Sequence, residues 1–217
     1  MNQDLNQIIT YYATKPHKVL NELLLNKSKD NLIAILTDLL TAYINDKNSS
    51  SLREFITVSI AGYQHISKKL GYNGYKQNSA IGSKPISCEA KPKNIQTEGY
   101  ELKKSKPKLN GEGGFNDYTI ERLNKDVKEK LNLLSSGFID GELQYIIEFP
   151  FKAVYNKLRE QLPERRIVGT YTRMASFNFS HYSSYPVIKI IYLNKNAIER
   201  NQQYFNKKFY QFLIDSK

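Results

Sequence analysis

Two apolar runs joined by Asp140-Gly141 constrain the fold of this chain more than any other feature. The runs cover residues 133–139 and 142–149. A type I′ turn needs a positive φ at both central residues, and Asp-Gly meets that need between two strands. The segment therefore predicts a β-hairpin.

The first 70 residues carry helix signals instead. Apolar side chains recur at helical spacing over residues 31–44. Ser51 and Glu54 have the spacing of a capping box, which predicts a helix from Ser51 to about residue 70. We therefore expect a helical N-terminal part over residues 1–70.

Strand and helix signals alternate over residues 71–217. A short strand is predicted at 85–92, and the polar, lysine-rich stretch at 93–114 is the best candidate for a mobile loop. The other predicted elements are a helix at 118–131, the hairpin, a helix at 151–162, a strand pair at 170–178 and 187–193, and a final helix at 197–214. This order predicts a single domain over residues 1–217, of the α/β (α+β) class, with a mixed β-sheet flanked by helices.

The chain is strongly basic, with 32 Lys and Arg against 21 Asp and Glu, and a net charge of +11. Such a charge favours a polyanionic partner, nucleic acid before a membrane. Residues 71–110 and 151–217 carry net charges of +5 and +8, and residues 111–150 between them carry −4. An acidic middle between basic flanks fits a metal site inside a phosphate-binding surface, and it also fits ordinary salt-bridged packing.

The single cysteine, Cys88, excludes a disulfide framework and a multi-cysteine zinc site. We therefore expect a reducing compartment, the cytoplasm, and a role for Cys88 as a small core residue. The N-terminal residues show no secretory signal, and no apolar run reaches the roughly 20 residues that span a bilayer.

Residues 85–92 carry the feature that points to chemistry. As a strand, this stretch turns Ile86, Cys88 and Ala90 to one face, and Glu89 and Lys91 to the other. Metal-dependent hydrolysis of a phosphodiester needs a carboxylate for Mg²⁺ and a cation near the developing charge. Glu89 and Lys91 are candidates for these roles, and a surface ion pair on an edge strand is the alternative.

The run from Ile86 to Lys91 resembles the second half of the PD-(D/E)xK nuclease motif, which occurs in most type II restriction endonucleases. The helical start, the mixed sheet and the chain length also suit that fold. The resemblance implies a restriction-endonuclease-like fold, Mg²⁺ as cofactor and double-stranded DNA as substrate. Cleavage of both strands of a palindrome would need a homodimer, because each active site cuts one strand.

The chain departs from this family pattern at one position. The family usually has an aspartate upstream of the glutamate, and this chain has none between Asp46 and Glu89. The candidates to complete the site are Asn73, as a neutral oxygen ligand, Glu54 and Asp117. The alternatives are the capping box for Glu54, and for Asp117 the N-cap of the helix that follows it.

A second carboxylate pair, Asp140 and Glu148, lies across the predicted hairpin, with Lys152 beyond it. Pro150 stands where the family has its lysine, and Asp140 is explained as a turn residue. Glu148 ends an apolar run, which makes it a further candidate metal ligand.

Basic side chains supply candidate contacts to DNA. Lysines neutralise phosphates, and guanidinium forks clamp phosphate or read guanine. The candidates are Lys93, Lys103, Lys104, Lys106, Lys108, Arg165, Arg166, Arg173 and His181. The alternative interpretation of these lysines is a solvated loop. The alternative functions are a basic DNA-binding protein without catalysis, in which Glu89 and Lys91 are structural, and an accessory factor whose basicity is incidental.

Overall fold

The computed structural model describes residues 3–44, 50–66, 72–78, 83–97, 99–102, 104–162 and 174–216. Within these residues lie eight α-helices and a mixed six-stranded sheet, which confirms the predicted fold class. None of the described helices is long and apolar enough to cross a membrane.

Four helices form the N-terminal part, as predicted. They are α1 (Gln3–Thr14), α2 (His17–Leu25), α3 (Lys29–Ile44) and α4 (Ser51–Ile60). Leu5, Ile9, Ile35 and Phe55 are buried together, and the sheet residue Ile146 packs into the same core. This burial stabilises the helices, because isolated helices of such lengths are marginal in water.

Helix α4 is shorter than predicted. It ends at Ile60 rather than near residue 70, and strand β1 (Gln64–His65) follows. Between them Gly62 has a φ of 76°. A residue with positive φ cannot continue a right-handed helix, and glycine adopts that conformation without steric cost.

The main sheet uses β1 and five longer strands. These are β2 (Gly74–Lys76), β3 (Ile86–Ile95), β5 (Asn132–Ile139), β6 (Glu142–Pro150) and β8 (Lys189–Leu193). The strand order is β1-β2-β3-β5-β6-β8, and only β3 and β5 are parallel neighbours. Helix α5 (Ile120–Lys128) lies between β3 and β5 in the chain and corresponds to the helix predicted at 118–131.

Strand β3 confirms the strand predicted at 85–92 and extends it to Ile95. The predicted loop at 93–114 therefore begins inside a strand. It also contains a 3₁₀ turn, Tyr100–Leu102, and leads into strand β4 (Gly113–Phe115). The loop is thus shorter and more structured than its composition suggested.

The hairpin of β5 and β6 confirms the prediction from Asp140-Gly141. Both turn residues have positive φ, 48° at Asp140 and 82° at Gly141. The Asp140 carboxylate also accepts hydrogen bonds from the Thr97 amide, at 2.9 Å, and the Thr97 hydroxyl. Asp140 is therefore a turn residue, as expected.

The predicted pairing of strands 170–178 and 187–193 is wrong. Strand β7 (Ala175–Phe177) pairs with β4 in a small second sheet, and β8 pairs with β6 at the edge of the main sheet. Residues 163–173 lie outside the described residues. Alternating apolar residues identified both strands, but they carry no information about which partner each strand takes.

The remaining helices differ from prediction in detail. The helix at 151–162 is a 3₁₀ turn, Phe151–Val154, followed by α6 (Tyr155–Gln161). The single helix at 197–214 is instead two, α7 (Lys195–Arg200) and α8 (Lys207–Asp215), with the 3₁₀ turn Gln202–Tyr204 between them.

The main sheet separates two cores. On one face, Val58 of α4 packs with Cys88 and Ala90 of β3. On the other, aromatic and aliphatic side chains of β4 to β7 and α8 form the larger core. Because side chains alternate along a strand, Glu89 and Lys91 point away from α4. Cys88 is fully buried, as expected, and burial raises the pKa of its thiol.

Candidate active site

Glu89 and Lys91 lie side by side on β3, as the sequence predicted. The Lys91 ammonium donates to Glu89 Oε1 at 2.9 Å and lies 4.1 Å from the centroid of the Phe115 ring. Glu89 is 9% exposed, and its other oxygen, Oε2, is buried without a hydrogen-bond partner among the described residues. An unpaired buried carboxylate oxygen is costly, so this oxygen is a natural position for a cation.

Asn73 lies beside these two residues, where β2 meets β3. Gly74 pairs with Cys88, which places Asn73 opposite Glu89. Its Oδ1 accepts from the Ala90 amide at 2.7 Å, and its Nδ2 donates to Glu54 Oε2 at 3.0 Å. Asn73 therefore ties the Glu54 carboxylate of α4 to the strand that carries Glu89.

The expected capping role of Glu54 is not what the structure describes. The N-cap of α4 is Ser50, not Ser51, and Ser50 makes no side-chain capping hydrogen bond. Glu54 lies in the first turn of the helix, where it accepts from Asn73. Asn73, Glu89 and Lys91 thus lie at one end of the β2–β3 pair, and Glu54 is joined to them through its hydrogen bond with Asn73. We call these four residues the β3 site.

Gly113 of β4 makes room for the Lys91 side chain. A Cβ atom at position 113 would lie 2.8 Å from Cβ and Cγ of Lys91 and 2.5 Å from the Phe177 ring. Both distances are below any real Cβ contact. Glycine at this position therefore allows the lysine stem to pass beneath β4 and reach Glu89.

A buried carboxylate on α5 lies behind the β3 site, and sequence reasoning missed it. Asp126 is fully buried and accepts from the Tyr118 hydroxyl at 2.5 Å and the Tyr72 hydroxyl at 3.2 Å. Its burial raises the pKa of this carboxyl, and the charge of Glu89 adds to the rise. The Tyr118 ring stacks on Phe115, with centroids 4.4 Å apart, and Phe115 in turn contacts Lys91.

Glu148 lies apart from the β3 site, so the structure does not bring this candidate metal ligand together with Glu89. It pairs with Leu134, which pairs with Ala90, so all three point to the α4 face, opposite to Glu89. Its carboxylate already has partners there. The Lys76 ammonium lies 3.3 Å away, and Asn132 Nδ2 donates at 3.1 Å.

Two further residues of the sequence prediction, Asp117 and Lys152, are exposed. Asp117 is exposed with a φ of 49°, and no contact among the described residues joins it to Glu89. The N-cap of α5 is Thr119, whose hydroxyl accepts from the Arg122 amide at 3.2 Å. Lys152 is exposed in the 3₁₀ turn after β6.

The basic candidates fall into three groups. Lys93 and Lys106 form ion pairs with Glu112 and Glu101, whereas Lys104 and Lys108 are exposed. His181 is less available than expected, because its Nδ1 accepts from the Asn178 amide at 3.0 Å, and burial lowers the pKa of its imidazole. The candidates outside the described residues are Lys103, Arg165, Arg166 and Arg173.

The β3 site offers a metal ion one buried carboxylate oxygen that has no partner among the described residues. No three His, Cys, Asp or Glu side chains of the described residues form a group that could hold a metal ion. A Mg²⁺ ion that binds phosphates needs fewer protein ligands, because one or two carboxylates hold it and water and phosphate oxygens complete its coordination shell. Glu89 Oε2, which lacks a hydrogen-bond partner among the described residues, supplies one such carboxylate oxygen, whereas Glu54 belongs to α4, which packs on the opposite face of β3.

Comparison with known proteins adds no relative. No model of a known protein family matches this chain, and no curated protein gives a significant match.

Proposed function

We propose that this chain is a Mg²⁺-dependent endonuclease that hydrolyses phosphodiester bonds in double-stranded DNA, with the site-specific cleavage of a type II restriction enzyme. The observation that carries the proposal is the orphaned Oε2 of Glu89, beside the Lys91 ammonium on the same strand face. A free carboxylate oxygen and a fixed cation are the two groups that such hydrolysis requires.

Each residue of the β3 site has a role in this proposal. Glu89 would hold the metal, which when bound would neutralise charge on the scissile phosphate. Asn73 positions Glu54 by hydrogen bonding and is itself fixed by the Ala90 amide. In PD-(D/E)xK nucleases an aspartate usually lies upstream of the glutamate. In this chain Asn73, directly before the neighbouring strand β2, lies upstream of Glu89.

Lys91 acts on the reacting groups. Its ammonium is held between Glu89 and the Phe115 ring, so it needs little reorganisation to donate a hydrogen bond to the attacking water or to a phosphate oxygen. The buried Asp126 and Tyr118 support Phe115 from behind. The positioning of Lys91 thus depends on packing as well as on charge.

The net positive charge of the molecule supports DNA as the substrate. A net charge of +11 attracts a polyanion, and the exposed Lys104 and Lys108 lie in the chain segment that leads to β4 over Lys91. We propose a homodimer, because cutting both strands of a duplex needs two sites. We propose the cytoplasm as its compartment, which a DNA substrate and the free Cys88 support.

Plasmid cleavage tests the proposal. Supercoiled DNA is incubated with the protein, with and without Mg²⁺, and we expect discrete fragments only with the metal. Glu89→Gln and Lys91→Ala should each slow cleavage by about 100-fold or more. The matched controls are Lys157→Ala and Glu160→Gln, which remove an exposed ion pair of 3.3 Å on α6 and should leave the rate unchanged.

Two results would decide against cleavage at the β3 site. If the Glu89 and Lys91 variants cut as fast as the wild type, these residues are not catalytic. If the wild-type protein retards intact DNA on a gel and never cuts it, the second candidate, a non-catalytic DNA-binding protein, is correct. The closed ion pair of Glu89 and Lys91 is the observation that favours that candidate.

A further inference from the structure

A surface pocket beside the first turn of α8 combines cationic, amide and aromatic side chains. It is lined by Lys108, Gln202, Gln203, Phe205, Lys207 and Tyr210. Lys108, Lys207 and both glutamines are exposed, and neither lysine forms an ion pair with any described residue. The described residues that line the pocket include no acidic side chain. A pocket with this lining suits an anion flanked by hydrogen-bonding groups.

The backbone around Lys108 is fixed on both sides. The Tyr100 hydroxyl donates to the carbonyl of Pro107 at 2.9 Å. Leu109 donates to the Tyr204 carbonyl at 2.7 Å and accepts from the Asn206 amide at 2.9 Å. The Lys108 backbone is therefore fixed against the start of α8. Binding of a ligand would not cost conformational entropy for ordering this segment.

A short, anchored segment connects this pocket to the β3 site. Asn110 accepts from the Phe179 amide at 2.8 Å, and Gly111 accepts from the Tyr182 hydroxyl at 2.9 Å. Gly113 then lies against the side chain of Lys91. Five residues extend over at most about 18 Å, so the Lys108 and Gly113 backbones lie within that distance. One strand of DNA advances about 3.4 Å per nucleotide, so the distance corresponds to at most about five nucleotides.

We propose that this pocket binds the DNA a few nucleotides from the scissile phosphate, with Lys108 and Lys207 on the phosphates and the Gln202 and Gln203 amides on base edges. The inference rests on the proposed function. Lysine neutralises phosphate without regard to sequence, whereas a glutamine amide pairs with adenine through both its donor and its acceptor. The pocket thus supplies both affinity and sequence reading.

Duplex binding without divalent metal tests the lysines. Fluorescence anisotropy is measured with a mixed-sequence 20-bp duplex between about 50 and 200 mM KCl, because each phosphate contact adds about 0.9 to the salt slope. We expect Lys108→Ala with Lys207→Ala to reduce the slope by about 2 and to weaken binding about tenfold at 0.1 M salt. The matched control, Lys18→Ala with Lys29→Ala, removes two exposed lysines of the N-terminal helices.

Selection from a randomised duplex pool tests the glutamines. Gln202→Ala with Gln203→Ala should relax the preference at one or two positions of the bound sequences by about tenfold, and leave the salt slope unchanged. All substituted side chains are exposed, and thermal unfolding verifies that each variant folds.

The outcomes separate this inference from the proposed function. If the wild type binds DNA and the Lys108 and Lys207 variant behaves like its control, the pocket does not contact DNA, while the proposed nuclease stands. An unchanged sequence preference in the glutamine variant overturns base reading at this pocket. If the wild type does not bind duplex DNA at all, both the pocket inference and the proposed function are wrong.

Discussion

Glu89 Oε2 is buried without a hydrogen-bond partner among the described residues, and the proposed metal binding there has a readout apart from catalysis. A ligand that binds only the folded state stabilises it by about 1.4 kcal/mol at ten times its Kd. Thermal unfolding of the wild type should therefore shift upward with added Mg²⁺, and Glu89→Gln should abolish that shift. Glu160→Gln on α6 should retain it. An equal shift in the Glu89 variant would place the metal elsewhere.

The position of the Lys91 side chain depends on the absence of a side chain at Gly113. Gly113→Ala puts a methyl group 2.8 Å from the lysine stem and 2.5 Å from Phe177, so the lysine or the ring must move. Overpacking of this kind costs about 1–3 kcal/mol of stability, and a displacement of about 1 Å at a reacting group costs about 100-fold in rate. Plasmid cleavage and urea unfolding measure the two effects.

The neighbouring glycine is the control for that substitution. A Cβ at Gly114 has no contact closer than 3.9 Å, so Gly114→Ala should keep both rate and stability. If Gly113→Ala cuts DNA at the wild-type rate while folded, the position of Lys91 does not control the chemistry.

His65 makes stability depend on pH. Burial lowers the pKa of its imidazole, and its Nδ1 is buried without a partner among the described residues. A depressed pKa means that the stabilising contribution is present above the ordinary value near 6.5 and is lost as pH falls through the folded value. The free energy of unfolding in urea should therefore fall between pH 7.5 and 5, and fall less in His65→Gln.

His17 provides the comparison for His65. It stacks on Tyr12 at the start of α2, where its ring is exposed. His17→Gln should keep the wild-type pH dependence of unfolding. If His65→Gln shows the same loss of stability between pH 7.5 and 5 as the wild type, another group causes it.

Sequence reasoning found the β3 site only in part, for reasons that are visible in single residues. Glu89 and Lys91 could be predicted because the alternation of a strand is local. Asp126 could not, because in a strongly charged helix it resembles a solvated residue, and its two tyrosine partners come from separate parts of the chain. The separation of Glu148 from Glu89 could not be predicted, because the sheet face of each residue relative to the other depends on strand register.

At the scale of elements, the β5–β6 hairpin depends on two residues with positive φ. Gly141 has a φ of 82°, and a Cβ there would meet nothing within 4 Å. The cost of Gly141→Ala is therefore one of backbone conformation, about 1–2 kcal/mol, without a clash. Urea unfolding measures it, with Gly114→Ala as the control that has no such φ. An unchanged stability would show that the turn tolerates a different conformation.

The strands and helices were easier to predict than the partner with which each strand pairs. The hairpin was predictable because its two strands are joined by its own turn. The pairing of β7 and β8 was not, since β7 joins β4, some 60 residues away in the chain, and β8 joins β6. The end of α4 depended on one glycine with positive φ, which a helical apolar pattern does not reveal.

At the scale of the whole molecule, most charged side chains lie outside the hydrophobic cores. Most described lysines are at the surface, and the only fully buried charged side chain among the described residues is Asp126. The net charge of +11 therefore acts on partners rather than on folding. Two copies of such a chain repel each other, so a homodimer on DNA gains from the phosphates between them.

The proposed homodimer predicts a particular product when active and inactive chains are mixed. Wild type is unfolded and refolded with a ninefold excess of Glu89→Gln, so that about nine in ten wild-type chains pair with an inactive partner. Each mixed dimer cuts one strand, and supercoiled plasmid should become nicked circles instead of linear DNA. The control mixes wild type with Glu160→Gln, which should give linear DNA. Linear product in proportion to the wild-type chains alone would show that each chain cuts both strands by itself.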